Sequence, residues 1–250
     1  MCIYIPPDFS MKIIEHSAPK FPSVKMVVDK IIDPKLTEHE AIKCCFSMSS
    51  TTIISGGTGS GKTSFVVKML RSVMKKVFHE IILVMPEASF GSIAEKDNPF
   101  LKIPTENIYH TFDAETLSTI YARIEENAAE GYFTLLIIDD FGADLKNKQN
   151  EYILNTIFLK QRHLRVSTFL LVQNYYMVPK KMREIATNMV MFNTNKSQNQ
   201  KVFKELFDLK ESQFSSLLRM LPTAHDYLIA NLKYKRIFVD YNEVSFDDED

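Results

Sequence analysis

Residues Gly56, Gly57, Thr58, Gly59, Ser60, Gly61, Lys62 and Thr63 spell GGTGSGKT, a complete G-x-x-x-x-G-K-[ST] phosphate-binding loop. Four of the seven glycines of the chain fall in these eight positions. Each residue type has a task. Glycines let successive backbone N–H groups turn inward around a phosphate without Cβ clashes. The helix that follows, opening at Lys62, Thr63 and Ser64, adds its amino-terminal dipole. Lys62 would reach the β- and γ-phosphates of ATP, and the Thr63 hydroxyl would ligate Mg²⁺. An ordinary Gly-rich turn accounts for the glycines but not for Lys and Thr at these offsets.

A second constellation lies downstream. Phe133–Asp140, FTLLIIDD, is an apolar strand ending in two carboxylates. Ligands of open α/β sheets gather at the carboxyl ends of strands. Asp139 is therefore placed to join the Mg²⁺ shell with Thr63, and Asp140 to polarise an attacking water. The bland alternative is polar termination of a strand. A third apolar run, Ser167–Val172, ends in Gln173, which is either a γ-phosphate sensor or a polar strand cap. Ahead of it stands Arg162, in a helix end taken to lie near the active edge of the sheet. It is either an arginine supplied to a neighbouring subunit's nucleotide or a cationic helix cap. Arg165 is the second candidate for that finger, and His163 reads as structural.

These residues need a scaffold, and the periodicity supplies one. Apolar runs at Thr51–Ser55, Ile81–Met85, Phe133–Ile138, Ser167–Val172 and Met189–Phe192 read as buried strands, with a short one at Ile108–Thr111. Helical spacing covers Lys62–Val77, Ala114–Glu130 and Glu151–His163, then Gln198–Phe207 and Glu211–Met220. Pro179 suits the first position of a short helix reaching about Asn188. Alternating strands and helices predict an α/β domain with a parallel sheet covered on both faces. The expected divisions are an extended, Pro-rich arm over 1–46 with one helix near Glu38–Cys45, the ATPase core over 47–195, and helices plus a closing hairpin over 196–242. Five acids in the last eight residues make 243–250 an expected solvated tail.

With these elements assembled, the chain resembles the FtsK/HerA superfamily, and more closely the DNA-packaging ATPases of large eukaryotic DNA viruses and virophages. The residues that carry the resemblance are GGTGSGKT at Gly56–Thr63, LLIIDD at Leu135–Asp140 and QRHLRVSTFLLVQN at Gln161–Asn174. The likeness spans roughly Met48 to Asn193. It implies a P-loop NTPase of the additional-strand, RecA-like type, with the Gln173 strand inserted between the phosphate-loop strand and the Asp139 strand. It implies ATP and Mg²⁺ as cofactors and Arg162 as the trans finger. Most members carry Glu where Asp140 stands here, so the shorter side chain puts its reach to the water in doubt. The resemblance also implies a homo-oligomeric ring, a hexamer or else a pentamer, that moves double-stranded DNA without reading sequence and works with capsid or portal proteins. It places the loop Asn174–Lys181 near the pore, where Lys180, Lys181 and Arg183 would contact phosphates. Tyr175 and Tyr176 would either touch DNA or pack.

Composition bounds the reading. The 250 residues suit one α/β domain with additions. The net charge of −1 gives no global attraction to nucleic acid. Without the five terminal acids, however, 30 basic residues face 26 acidic ones, the full 31 less five. The start MCIYIPPDFS lacks the pattern of a secretory signal, and no apolar run approaches a membrane span. Cys2, Cys44 and Cys45 are not in metal spacing and fit a reducing, intracellular setting; the resemblance implies that this is host cytoplasm, viral factory or virion. A small-molecule kinase would need an arginine-rich lid, and seven scattered arginines do not supply one. A helicase-like motor, a nucleotide-gated switch and, with that feature against it, a kinase are the alternatives.

Overall fold

The computed structural model describes residues 11–14, 39–91, 96 and 98–246. Most of the expected arm (1–10 and 15–38), Cys2 and the end of the acidic tail (247–250) lie outside the described residues.

The strands are β1 (Met11–Ile14), β2 (Thr51–Ser55), β3 (Glu80–Val84), β4 (Ile108–Tyr109), β5 (Thr134–Asp139), β6 (Val166–Val172), β7 (Asn188–Phe192), β8 (Tyr227–Asn231), β9 (Arg236–Val239) and β10 (Asn242–Phe246). They form one sheet in the order β1-β10-β9-β8-β7-β2-β6-β5-β3-β4. The stretch from β7 to β4 is parallel, and β8, β9, β10 and β1 extend it antiparallel. β6 pairs with β2 on one side and β5 on the other, which is the inserted-strand arrangement expected for Gln173.

Strands β2, β5, β6 and β7 are buried along their whole length. Helices on both sides explain why these segments read as continuous apolar runs. Because successive side chains point to opposite faces, each strand feeds two cores. Ile53, Leu136, Ile138, Leu170 and Val172 pack with α4 (Ala114–Ala129), α5 (Lys148–Leu159), α6 (Lys180–Ile185), α7 (Lys196–Phe207) and α8 (Glu211–Arg219). Ile54, Leu135, Ile137, Phe169 and Leu171 pack with α1 (Glu40–Cys45) and α2 (Lys62–Arg71). Cys45 is buried there and Cys44 half-buried, both as free thiols. No helix among the described residues is long and apolar enough to cross a membrane.

Four expectations change. The helix opening at Lys62 ends at Arg71 rather than Val77: Ser72 Oγ donates back to the Lys68 carbonyl at 2.5 Å, and the chain turns through Lys76 at φ 60°. Met74 and Val77 stay buried, so the periodicity marked the core but not the helix. Pro179 is the N-cap of α6, outside its first turn. The helix before β6 stops at Leu159, which leaves Arg162 and His163 in a turn. The tail boundary at 243 is also wrong. Asn242–Phe246 is a strand between β9 and β1, and Glu243 accepts from Arg236 at 2.6 and 2.7 Å.

Candidate nucleotide-binding site

Every parallel strand delivers its carboxyl end to the same edge of the sheet. Register sets Ile54 level with Leu171 and Leu171 level with Asp139. The phosphate loop after β2, the carboxylates at the end of β5 and Gln173 after β6 therefore meet there.

The loop itself is shaped by two glycines in particular. A Cβ on Gly56 would sit 2.5 Å from Ser60 Oγ and 2.7 Å from Phe192 Cβ, closer than side chains tolerate. Gly61 has φ +106° and caps α2, a left-handed position that a side chain would strain. Thr58, Gly59 and Ser64 are exposed along the loop and the first turn of α2. Lys62 Nζ donates to the Gly56 and Gly57 carbonyls at 2.8 and 3.1 Å. Burial lowers its pKa, opposed by Asp139 and Asp140. The ammonium is thus held over the mouth of the loop by acceptors that an anionic phosphate would outbid.

Thr63 Oγ1 donates to Asp139 Oδ2 at 2.7 Å. Asp139 is 5% exposed, and burial pushes its carboxyl up to about 6, against the pull of the Thr63 hydrogen bond and of Lys62. A buried carboxylate beside a hydroxyl is an oxygen-donor pair suited to a hard divalent cation. No group of three His, Cys, Asp or Glu side chains able to hold a metal occurs among the described residues.

Asp140 is exposed and takes φ +66°, a left-handed conformation that Asp accepts better than most residues. Its Oδ1 accepts from Gln173 Nε2 at 3.2 Å and its Oδ2 from Ser89 Oγ at 3.0 Å. Ser89 sits in α3 (Glu87–Phe90), just after β3. Sequence reasoning missed Ser89, because a lone serine in a short helix carries no signal. It also missed Phe192, which backs the loop, and His225, whose Nδ1 lies 3.1 Å from the Ser60 carbonyl.

Other candidates land elsewhere. Parallel strands begin at the edge opposite the loop, so the turn before β6 puts Arg162 about 20 Å from the Gln173 end of that seven-residue strand. The premise that it stands near the active edge is overturned. Arg165 is spent inside the subunit, donating to the Gly131 carbonyl at 2.7 Å with its guanidinium over the Phe133 ring. Arg183 binds Glu205 at 3.0 Å and the Val178 carbonyl at 2.8 Å and covers the rings of Tyr175 and Tyr176. Tyr175 is fully buried, so it packs. Lys180 and Lys181 remain exposed, Lys180 in an i,i+4 pair with Glu184.

A model of the family described as Poxvirus A32 protein matches residues 40–250. The chain belongs to that family. Among its relatives, the DNA packaging protein OPG160 of Monkeypox virus is 26% identical over 206 residues, covering 81% of this chain and 66% of that protein. The protein of the same name from Vaccinia virus (strain Copenhagen) is 28% identical over 196 residues, covering 77% of this chain and 70% of that protein. The chain thus spans about two thirds of the length of these relatives. The fold is also that of the genome packaging NTPase B204 of Sulfolobus turreted icosahedral virus 2, solved with ATP-gammaS. That match has a TM-score of 0.57 at 16% identity, over 76% of this chain and 96% of that one. The Poxvirus A32 fold seen here is therefore an α/β P-loop NTPase fold with a mostly parallel sheet flanked by helices.

Proposed function

We propose that this Poxvirus A32 family member is an ATPase that drives double-stranded viral DNA into a capsid. The observation that carries the reading is the assembled edge: a phosphate loop, a half-buried Thr63 bonded to the buried Asp139, and an Asp140 carboxylate held by Gln173. The names of the relatives, DNA packaging proteins, supply the substrate class.

In this reading the loop amides and Lys62 cradle the ATP phosphates, and Thr63 and Asp139 hold Mg²⁺. The ion, when bound, neutralises charge developing on the phosphoryl oxygens. Asp140 orients and polarises the attacking water. Gln173 shares a hydrogen bond with Asp140, so it is placed to register the state of the γ-phosphate and pass it to the segment Asn174–Lys181. Lys180 and Lys181 meet backbone phosphates of duplex without reading bases. Arg183, already paired, orders that segment rather than binding DNA itself.

A ring of copies, a hexamer or pentamer working with capsid or portal proteins, would let an arginine of one subunit complete the site of the next. Among the described residues, Arg162 and Arg219 are the two arginines whose guanidinium has no hydrogen-bond or ion-pair partner. Arg162 keeps the role by resemblance. Arg219 has position in its favour: it ends α8 two residues before Leu221, whose carbonyl accepts from Asn193 at the phosphate-loop edge.

The deciding experiment measures ATP turnover with and without long duplex DNA, beside Lys62→Ala. Stimulation by duplex that disappears in the variant supports the motor. Turnover indifferent to DNA, or ATP binding with no turnover, would sink it and favour a switch.

A further inference from the structure

The phosphate loop is gripped from the side away from its carboxylates. The sheet order puts β6 and β5, with Gln173, Asp139 and Asp140, on one flank of β2, and β7 and β8 on the other. On that second flank the turn between α8 and β8 brings His225 to the loop from 165 positions away.

The turn is tied down at both ends. The Asn193 backbone N–H donates to the Asp226 carbonyl at 3.0 Å, and Asn193 Nδ2 donates to the Leu221 carbonyl at 2.6 Å. Within it, Asp226 Oδ2 accepts from the backbone N–H and the hydroxyl of Thr223 at 2.6 and 2.8 Å. The His225 N–H donates to Thr223 Oγ1 at 3.3 Å. His225 is therefore exposed yet fixed from behind. Its Nδ1 faces the Ser60 carbonyl at 3.1 Å, and because a carbonyl only accepts, that nitrogen carries the proton.

The Ser60–Gly61 peptide is planar and trans, for no cis bond occurs in the described chain. In a trans peptide the C=O and the N–H point in opposite directions. Holding the Ser60 carbonyl outward therefore aims the Gly61 N–H inward, into the cradle. Gly61, at φ +106° and without a side chain, does not fix that direction by itself. We propose that His225 is a positioning residue for the phosphate loop, orienting the Gly61 amide toward bound phosphate through the Ser60–Gly61 peptide plane without touching the nucleotide. The inference rests on the nucleotide reading of the loop.

The test compares wild type, His225→Ala and His225→Asn for binding of a fluorescent ATP analogue and, by competition, of inorganic tripolyphosphate. Asn places an N–H near the position of Nδ1. Loss of the bond should weaken both ligands about tenfold in His225→Ala. His225→Asn should recover most of the affinity, with melting temperatures matching wild type in both variants. Unchanged affinity in His225→Ala overturns the proposal. Weaker ATP with unchanged tripolyphosphate also overturns it, because His225 would then be meeting the nucleoside. A lowered melting temperature that Asn does not restore reduces His225 to a structural role. Wild type binding neither ligand would instead refute the nucleotide reading itself.

Discussion

Thr63 Oγ1 and Asp139 Oδ2 lie 2.7 Å apart although 76 positions separate them in the chain. The bond joins the first turn of α2 to the end of β5 and places two oxygen donors where one cation can share them. Replacing Asp139 with Ala should abolish Mg²⁺-dependent ATP turnover. Replacing Thr63 with Ala should lower turnover about 10²-fold and raise the Mg²⁺ concentration needed for half-maximal rate. Equal Mg²⁺ requirements in Thr63→Ala and wild type would remove Thr63 from the cation shell.

Asp139 also sets a pH dependence in the nucleotide-free protein. Its carboxyl is raised from 3.8 to about 6 by burial. Between those values the folded state holds more protons than the unfolded state, so stability from this group is full below about 4 and is lost as pH rises through about 6. Asp139→Asn has no such proton to lose. Chemical denaturation at pH 4.5 and pH 7 should show the variant gaining of order 2 kcal/mol over wild type at the higher pH. A constant difference across the window would contradict the burial of a titrating carboxyl.

Much of this edge was legible in the chain, for definite reasons. Strands β2, β5 and β6 are buried on both faces and so have no polar alternation, which made Thr51–Ser55, Leu135–Ile138 and Ser167–Val172 plain. The place of Arg162 was legible too, but was misread. A helix leaving the carboxyl end of β5 has to cross to the opposite edge before parallel β6 can begin, so its last turn could not stand by the phosphates. Asn242–Phe246 was obscured by acidic neighbours. The charge that reads as solvated tail at Glu243 is met by Arg236 on the next strand, and Arg236 also binds Glu40 at 2.7 Å. The Arg236–Glu243 pair spans only seven positions and lay within reach of a local reading, whereas the Arg236–Glu40 bond, 196 positions apart, did not. His225 was hidden for the same reason.

Gln173 and Ser89 hold the two oxygens of Asp140, so each should matter to hydrolysis more than to binding. Gln173→Ala and Ser89→Ala should each lower kcat about tenfold while leaving ATP affinity within about twofold. Steady-state kinetics alongside equilibrium binding makes the separation. A rise in KM at constant kcat would show that they act on nucleotide binding instead.

Arg162 and Arg219 make opposing claims to the trans role. The true finger, changed to Ala, should lose about 10³-fold or more in turnover and retain ATP binding. Mixing that variant with Lys62→Ala should restore part of the activity, since in mixed assemblies an intact loop meets an intact arginine. No rescue for either arginine would mean that hydrolysis is completed within one subunit.

Gly56 leaves no room for a side chain. Gly56→Ala should force Phe192 or the loop to move, costing about 1–3 kcal/mol of stability together with most nucleotide affinity. Thermal melting and ATP titration of the same preparation check both parts. Normal affinity in the variant would show that Phe192 yields without disturbing the cradle.

Strand β8 starts two residues after His225 and ends at Asn231, from which Leu232, Lys233 and Lys235 go on to line a cavity of about 720 Å³ with Lys180 and Arg183. It is hydrogen-bonded to β7 on one side and β9 on the other, and five residues span about 17 Å. Such a strand is a strut with no soft joint. The turn that carries His225 and the lysine-bearing hairpin tip are therefore held at a fixed spacing by one doubly paired element.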